Sequence, residues 1–149
     1  MNLHKLLSAR AAAGKPVRVG VVGCGKFATM FLAQAQRIPG LHVVGVADIA
    51  PGKAADQLVR AGWEKAHFGA RSLGEAMDKG ATHLTADAAA LIAHPAIEVI
   101  AECTGDPIAA TSHALAAFKH GKHVVMVTVE ADAFVGPLLA QKAKEAGVV

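Results

Sequence analysis

The residues best suited to chemistry lie in one glycine-rich segment with the spacing G-x-G-x-x-A, Gly23-Cys24-Gly25-Lys26-Phe27-Ala28. In such a segment the first glycine permits a tight turn, the second lets the backbone approach a pyrophosphate, and the small last residue lets a helix pack closely on a strand. Backbone N–H groups at the helix start then face the phosphate oxygens. The alternative is a glycine turn that binds nothing. The spacing favours a dinucleotide-binding turn over residues 23–28.

Asp48 stands 20 residues beyond Ala28, at the end of a second apolar run. A carboxylate at this place accepts hydrogen bonds from the adenosine ribose hydroxyls, which favours NAD. Lys53 lies close by in sequence and can meet a 2′-phosphate, so NADP remains open. Asp48 can instead simply cap the following helix.

Further candidates follow the fourth and fifth predicted strands. The backbone of Cys103-Thr104-Gly105 can lie along the nicotinamide ribose, where Gly105 avoids a Cβ clash; an ordinary left-handed turn is the alternative. Glu130 and Asp132 would face the nicotinamide end and are the weak catalytic candidates, able to bind a substrate hydroxyl, a metal or a partner domain. Equally, they can be solvated acids at a helix start.

Histidines and cysteines are not grouped in a reactive pattern. Of the eight histidines, His113, His120 and His123 are split between a helix and a strand, with no carboxylate or cysteine at ligand spacing, so no metal site is predicted. Cys24 has no histidine beside it and is interpreted as a space-filler. The two cysteines form no C-x-x-C motif, which indicates a reducing, cytoplasmic setting.

Strand and helix patterns alternate along the chain. They predict strands over 17–22, 41–47, a short one near 83, 97–103 and 122–127, with a sixth beginning at 147–149, and helices over 3–10, 27–38, 51–61, 72–79, 87–93, 107–120 and 136–146. Such alternation predicts an α/β fold with a Rossmann-type doubly wound parallel sheet in three αβα layers. Residues 1–15 are predicted to be an N-terminal docking helix and residues 16–149 the Rossmann domain.

Composition limits the function classes. Hydrophobic residues make up 53 % and aromatic residues 4 % of the 149 residues, so aliphatic side chains must fill the core, as suits a buried parallel sheet. The net charge of +3 is scattered, which argues against a nucleic-acid partner. The apolar stretches are too short for a membrane span. The expected partners are a dinucleotide and a small-molecule substrate.

Four stretches carry a family resemblance that covers nearly the whole chain: residues 17–25, 43–48, 97–105 and 121–125. With them the chain resembles the NAD(P)-binding half of the homoserine dehydrogenase-like and Gfo/Idh/MocA-like oxidoreductases. The resemblance implies a nicotinamide cofactor and a second, catalytic domain that this chain lacks. The chain alone is therefore expected to bind cofactor without turnover, and the whole protein is expected to form a homo-oligomer through the missing domain.

Residues 3–10 and 129–139 resemble more narrowly the DXR-like proteins that carry a SAF domain. That resemblance implies NADPH-dependent reduction and isomerisation of 1-deoxy-D-xylulose 5-phosphate to methylerythritol phosphate in isoprenoid synthesis. Homoserine dehydrogenases carry an Asn-Lys pair after the fifth strand, where this sequence has Val129-Glu130, so their own reaction is in doubt. The alternatives are a homoserine dehydrogenase-like enzyme for another small hydroxy or carbonyl substrate and a non-catalytic NAD(P) sensor.

Overall fold

The computed structural model describes residues 2–149, in which five parallel strands alternate with seven α-helices. The strands are β1 (Val17–Val22), β2 (Leu41–Ala47), β3 (His83–Thr85), β4 (Val99–Glu102) and β5 (His123–Met126). The helices are α1 (Leu3–Ala12), α2 (Lys26–Ala35), α3 (Pro51–Arg60), α4 (Leu73–Lys79), α5 (Ala88–Ala93), α6 (Pro107–Lys119) and α7 (Val129–Glu145), with a 3₁₀ turn at Lys65–Phe68. The predicted Rossmann-type α/β fold is confirmed.

The strand order is β3-β2-β1-β4-β5, and every pairing is parallel. The first strand lies at the centre, with β2 on one side and β4 on the other, so the strand order reverses at β1. Val22, the last residue of β1, is paired with both Ala47 and Glu102. The segments that follow β1, β2 and β4 therefore meet at one edge of the sheet, at the switch point where ligands of this fold bind.

Each face of the sheet is covered by its own apolar cluster. One face packs β1 and β2 against α2 and α3 through Val21, Val46, Ala28, Leu32 and Leu58. The other packs β2 and β4 against α4, α5 and α6 through Val44, Ile100, Ala76, Leu91 and Ala117. Aliphatic side chains dominate both clusters, as the composition predicts. The layers hold the carboxyl ends of the central strands in fixed positions.

The leading helix α1 packs on the body of the domain and extends two residues beyond its predicted end at Arg10. The Arg10 guanidinium donates to both carboxylate oxygens of Glu98 at 2.8 Å. Gly40 lies directly under the helix, because a Cβ built on it would stand 2.0 Å from the carbonyl oxygen of Leu7. The contact of α1 with the sheet domain is therefore made by backbone and charge; no residue of α1 is buried.

Two predictions at the C-terminal side are wrong. Helix α7 begins at Val129 rather than at 136, because its buried positions Ala131, Leu139 and Ala143 continue one stripe through Pro137. Residues 147–149 form no strand. Instead the N–H groups of residues 147 and 148 bond back to the carbonyls of residues 144 and 143, a Schellman arrangement that ends the helix.

Candidate functional site

The glycine turn after β1 lies against the end of β4. Gly23 has a φ of +86°, and a Cβ built on it would stand 2.7 Å from the Cα of Thr104 and 2.8 Å from the carbonyl oxygen of Cys103. Its N–H donates to the carbonyl of Ala47 at 2.7 Å. Only glycine fits this conformation and this close approach. The turn is thereby held against the ends of both neighbouring strands.

Gly25 is the N-cap of α2 and leaves the start of that helix open. Among the residues that the structure describes, no side chain caps the helix, and a Cβ built on Gly25 would meet no atom within 4 Å. Within residues 2–149, the N–H groups of Gly25, Lys26 and Phe27 donate to no acceptor. Free N–H groups and the positive end of a helix attract an anion. This space suits the pyrophosphate of a dinucleotide.

Asp48 connects the end of β2 to the glycine turn. One carboxylate oxygen accepts the N–H of Cys24 and the other accepts the N–H of Ala50, both at 2.8 Å. Asp48 does not cap α3, whose N-cap is Ala50 and has no side-chain bond, so the capping alternative is wrong. Each carboxylate oxygen keeps a further lone pair for a ligand hydroxyl.

The side chains of both cysteines are buried: Cys24 lies within the glycine turn and Cys103 follows β4. Burial, with a smaller contribution from the charge of Asp48, raises the pKa of Cys24 to about 11. Burial, with smaller contributions from Glu102 and Cys24, raises the pKa of Cys103 to about 12. Both groups are therefore protonated thiols at neutral pH and poor nucleophiles.

A buried acid lies beneath the ends of β4 and β5. Glu102 is fully buried. One oxygen of its carboxylate accepts hydrogen bonds from the hydroxyl of Thr104 at 2.7 Å and from Nδ1 of His113 at 3.2 Å. Its other oxygen accepts the hydroxyl of Thr128, which in turn accepts the N–H of Gly105 at 3.0 Å. Burial acts to raise the pKa of Glu102, but the hydrogen bonds from His113, Thr128 and Thr104 outweigh it and hold that pKa below its usual range. Glu102 is therefore an ionised hydrogen-bond acceptor beneath the candidate site.

The sequence motifs single out Thr104 and Gly105 of this network but not Glu102 or Thr128. His113 lies in a helix and Thr128 in a loop, whereas Glu102 ends a strand, and no local spacing relates them to it. The available signal is an acid within the apolar run of residues 97–103, because a buried carboxylate must find hydrogen-bond donors.

The structure brings only some of the predicted site residues together. The glycine turn, Asp48, Cys103 and Thr104 are in contact, and Gly105 joins them through Thr128. Ala28 is fully buried in the core beneath α2. The remaining predicted residues have exposed side chains, and no side-chain hydrogen bond or ion pair links them to the site within residues 2–149: Lys26, Phe27, Lys53, Glu130 and Asp132.

Neither a metal-binding cluster nor a membrane-spanning helix is found in the part of the chain that the structure describes. There, no group of three or more His, Cys, Asp or Glu side chains is arranged to hold a metal ion. His113 instead faces Glu102, and His123 accepts the N–H of Val149 at 3.1 Å. None of the described helices combines the length and the apolar character needed to cross a membrane.

Residues 19–149 match the family described as "Homoserine dehydrogenase, NAD binding domain". A homoserine dehydrogenase from Pseudomonas aeruginosa is 32% identical over 137 residues, which cover 91% of this chain and 28% of that protein. The chain thus spans less than a third of the length of that relative.

Similar solved structures show the same fold. One is a homoserine dehydrogenase from Thiobacillus denitrificans, with a TM-score of 0.70 and 23% identity over 90% of this chain and 28% of that one. Another is biliverdin reductase from Synechocystis with biliverdin and NADP+, with a TM-score of 0.64 and 24% identity over 90% of this chain and 36% of that one. A third is myo-inositol dehydrogenase from Lactobacillus casei with NAD(H) and myo-inositol, with a TM-score of 0.60 and 18% identity over 87% of this chain and 34% of that one.

Proposed function

The chain belongs to the family of homoserine dehydrogenase NAD-binding domains, and we propose that it holds NADH or NADPH across the carboxyl ends of β1, β2 and β4. The open start of α2 at Gly25 carries this proposal, because within the described part of the chain its N–H groups have no acceptor and no side chain lies within 4 Å of a Cβ built on Gly25. The N–H groups of that helix start would hold the pyrophosphate. Asp48 would hold the adenosine ribose, and Thr104-Gly105 would hold the nicotinamide ribose.

The residues of this chain bind and orient the cofactor, which when bound supplies or accepts a hydride. Backbone N–H groups of the glycine turn would donate hydrogen bonds to the phosphates, and Asp48 would accept hydrogen bonds from the ribose hydroxyls. Residues 104–105 fix the direction of the nicotinamide end. Glu130 and Asp132, in the first turn of α7, are the acids of this chain that we assign to substrate or partner contacts.

We further propose that NADH is preferred over NADPH. Two backbone N–H groups hold the Asp48 carboxylate, so it cannot easily turn away from a 2′-phosphate, which it would repel. Lys53 is exposed on α3 and is the cation available to offset that repulsion. The resemblance to NADPH-dependent proteins is the argument for the opposite preference.

The whole protein is proposed to be an oxidoreductase that transfers hydride to or from a small hydroxy or carbonyl substrate, as in homoserine dehydrogenases. Family membership and the 32% identical relative support this class. The second candidate is the reductoisomerase reaction on 1-deoxy-D-xylulose 5-phosphate. It rests on the sequence resemblance of residues 3–10 and 129–139 and on Val129-Glu130 in place of the Asn-Lys pair.

Calorimetric titration of the chain with NADH and with NADPH tests the cofactor proposal. We expect both to bind, NADH more tightly; binding of neither would contradict it. Turnover assays with homoserine and NAD, and with 1-deoxy-D-xylulose 5-phosphate and NADPH, separate the two reactions. The chain alone is expected to bind without turnover, because it spans less than a third of its relative. Turnover by the chain would contradict the need for a second domain.

A further inference from the structure

The loops after β4 and β5 are joined through one buried carboxylate. Glu102 accepts the hydroxyls of Thr104 and Thr128, which stand in the two different loops. A carboxylate that is ionised can only accept hydrogen bonds, so both hydroxyls must direct their protons toward it. The lone pairs of the two hydroxyls are consequently turned toward other donors.

Those donors are backbone N–H groups of the β4–α6 loop. Thr128 accepts the N–H of Gly105 at 3.0 Å, and Thr104 accepts the N–H of Asp106 at 3.2 Å. Gly105 has a φ of +73°, and Asp106 is the N-cap of α6, where its carboxylate accepts the N–H groups of residues 108 and 109. Glu102 therefore sets, through two threonines, the conformation in which the loop enters α6.

We propose that Glu102 is a positioning residue for the nicotinamide end of the cofactor, acting through the hydroxyls of Thr104 and Thr128. This inference rests on the proposed function, in which Thr104-Gly105 lies along the nicotinamide ribose. Glu102 itself is fully buried, so it can act on a ligand only through the groups hydrogen-bonded to it. The glycine turn and Asp48 are proposed to hold the other half of the cofactor, and among residues 2–149 they receive no hydrogen bond from the network.

The two halves can be measured separately with two probes, NADH and ADP, which lacks both the nicotinamide and the ribose attached to it. In Glu102→Gln the amide nitrogen donates where the carboxylate accepted, so one threonine hydroxyl loses its acceptor and its fixed direction. We expect the Kd for NADH to rise about fivefold, the effect of roughly one lost hydrogen bond, and the Kd for ADP to stay unchanged. A residue with a merely structural role would move both values together or neither.

Thr128→Val is the second variant, because it keeps the shape of the side chain and removes only the hydroxyl between Glu102 and Gly105. It should reproduce the loss for NADH alone, whereas Thr128→Ser, which retains the hydroxyl, should bind both probes as the unchanged chain does. If Glu102→Gln does not fold, as judged by its thermal melting, the Thr128 pair decides the matter.

The outcomes separate the two proposals. Equal losses for NADH and ADP in the variants, or no loss for NADH, would overturn the role of Glu102 while cofactor binding stands. Failure of the unchanged chain to bind either probe would overturn the proposed function itself, and with it the inference that depends on it.

Discussion

The carboxylate of Asp48 accepts the backbone N–H of Cys24 at 2.8 Å, so the residue that ends β2 braces the middle of the turn that follows β1. The side chain expected to contact the adenosine ribose thus also shapes the pyrophosphate turn. Its second oxygen is held by the N–H of Ala50, which fixes the orientation of the carboxylate. Cofactor choice and turn geometry are therefore coupled through one residue.

Asp48→Ala should weaken NADH binding about tenfold and NADPH binding less. The variant loses the acceptor for the ribose hydroxyls but also loses the repulsion of a 2′-phosphate. It should also lose roughly 1–2 kcal/mol of unfolding free energy, since two backbone N–H groups lose a partner. Parallel titrations with both dinucleotides check this expectation, and equal losses for the two would contradict it.

Lys122→Met is the matched control for Asp48→Ala, because it should destabilise the chain at a place away from the proposed cofactor edge. Lys122 is 5% exposed, and its Nζ donates to the carbonyls of Ile97 at 2.7 Å, His94 at 2.9 Å and Pro95 at 3.4 Å, residues that precede β4. Burial lowers the pKa of Lys122, and the charge of Glu98 partly opposes this. Methionine leaves three carbonyls without their donor, so we expect the unfolding free energy to fall by about 1–3 kcal/mol. Urea denaturation measures the fall in unfolding free energy, and the affinity for NADH should not change. Weakened NADH binding in Lys122→Met would show that lost stability alone explains the weaker binding of Asp48→Ala.

The stability contributed by Glu102 should depend on pH. Its pKa in the folded chain is held below the usual range, so the contribution is complete above the pKa of the unfolded chain and is lost as pH falls through the lower, folded value. The difference in unfolding free energy between the unchanged chain and Glu102→Gln should therefore shrink below about pH 4.3. Urea midpoints from about pH 6 to about pH 3 measure it. A difference that stays constant over this range would contradict an ionised Glu102.

Gly40→Ala should release α1 from the domain. A Cβ at Gly40 would lie 2.0 Å from the Leu7 carbonyl oxygen, and the φ of +78° adds strain. Gly80→Ala is the matched control, because its φ is +63° but its Cβ would meet no atom within 4 Å. Trypsin should cleave after Arg10 faster in Gly40→Ala than in Gly80→Ala; equal rates would mean that α1 is not held at Gly40.

Much of the fold is predictable from the sequence because its signals are local. A β-rich run, a G-x-G-x-x-A turn and a helical stripe follow one another over residues 17–38, and the structure contains all three, although the helix ends at Ala35 rather than at 38. The start of α7 is not predictable in this way. Pro137 favours a first-turn position, yet Ala131, Leu139 and Ala143 continue one buried stripe through it, so packing against α6 outweighs the local preference.

In the candidate site, too, the residues fixed by local sequence can be predicted and those brought together by tertiary packing cannot. The positions of Gly23 and Asp48 are predictable because the turn and the end of β2 are fixed by the order of residues along the chain. The network of Glu102 is not, because His113 and Thr128 reach it only after α6 and β5 have folded back onto the sheet. Tertiary packing, which no sequence spacing records, creates that group.

The most direct test of the central claim compares Gly25→Val with Gly23→Ala by NADH titration and thermal melting. Gly25 has an ordinary φ of −81° and open space where its Cβ would stand, so the valine variant should melt as the unchanged chain does and lose NADH binding. Gly23→Ala should lower the melting temperature, because its Cβ would meet backbone at 2.7 Å. A folded Gly25→Val chain that binds NADH with unchanged affinity would contradict a pyrophosphate site at the start of α2.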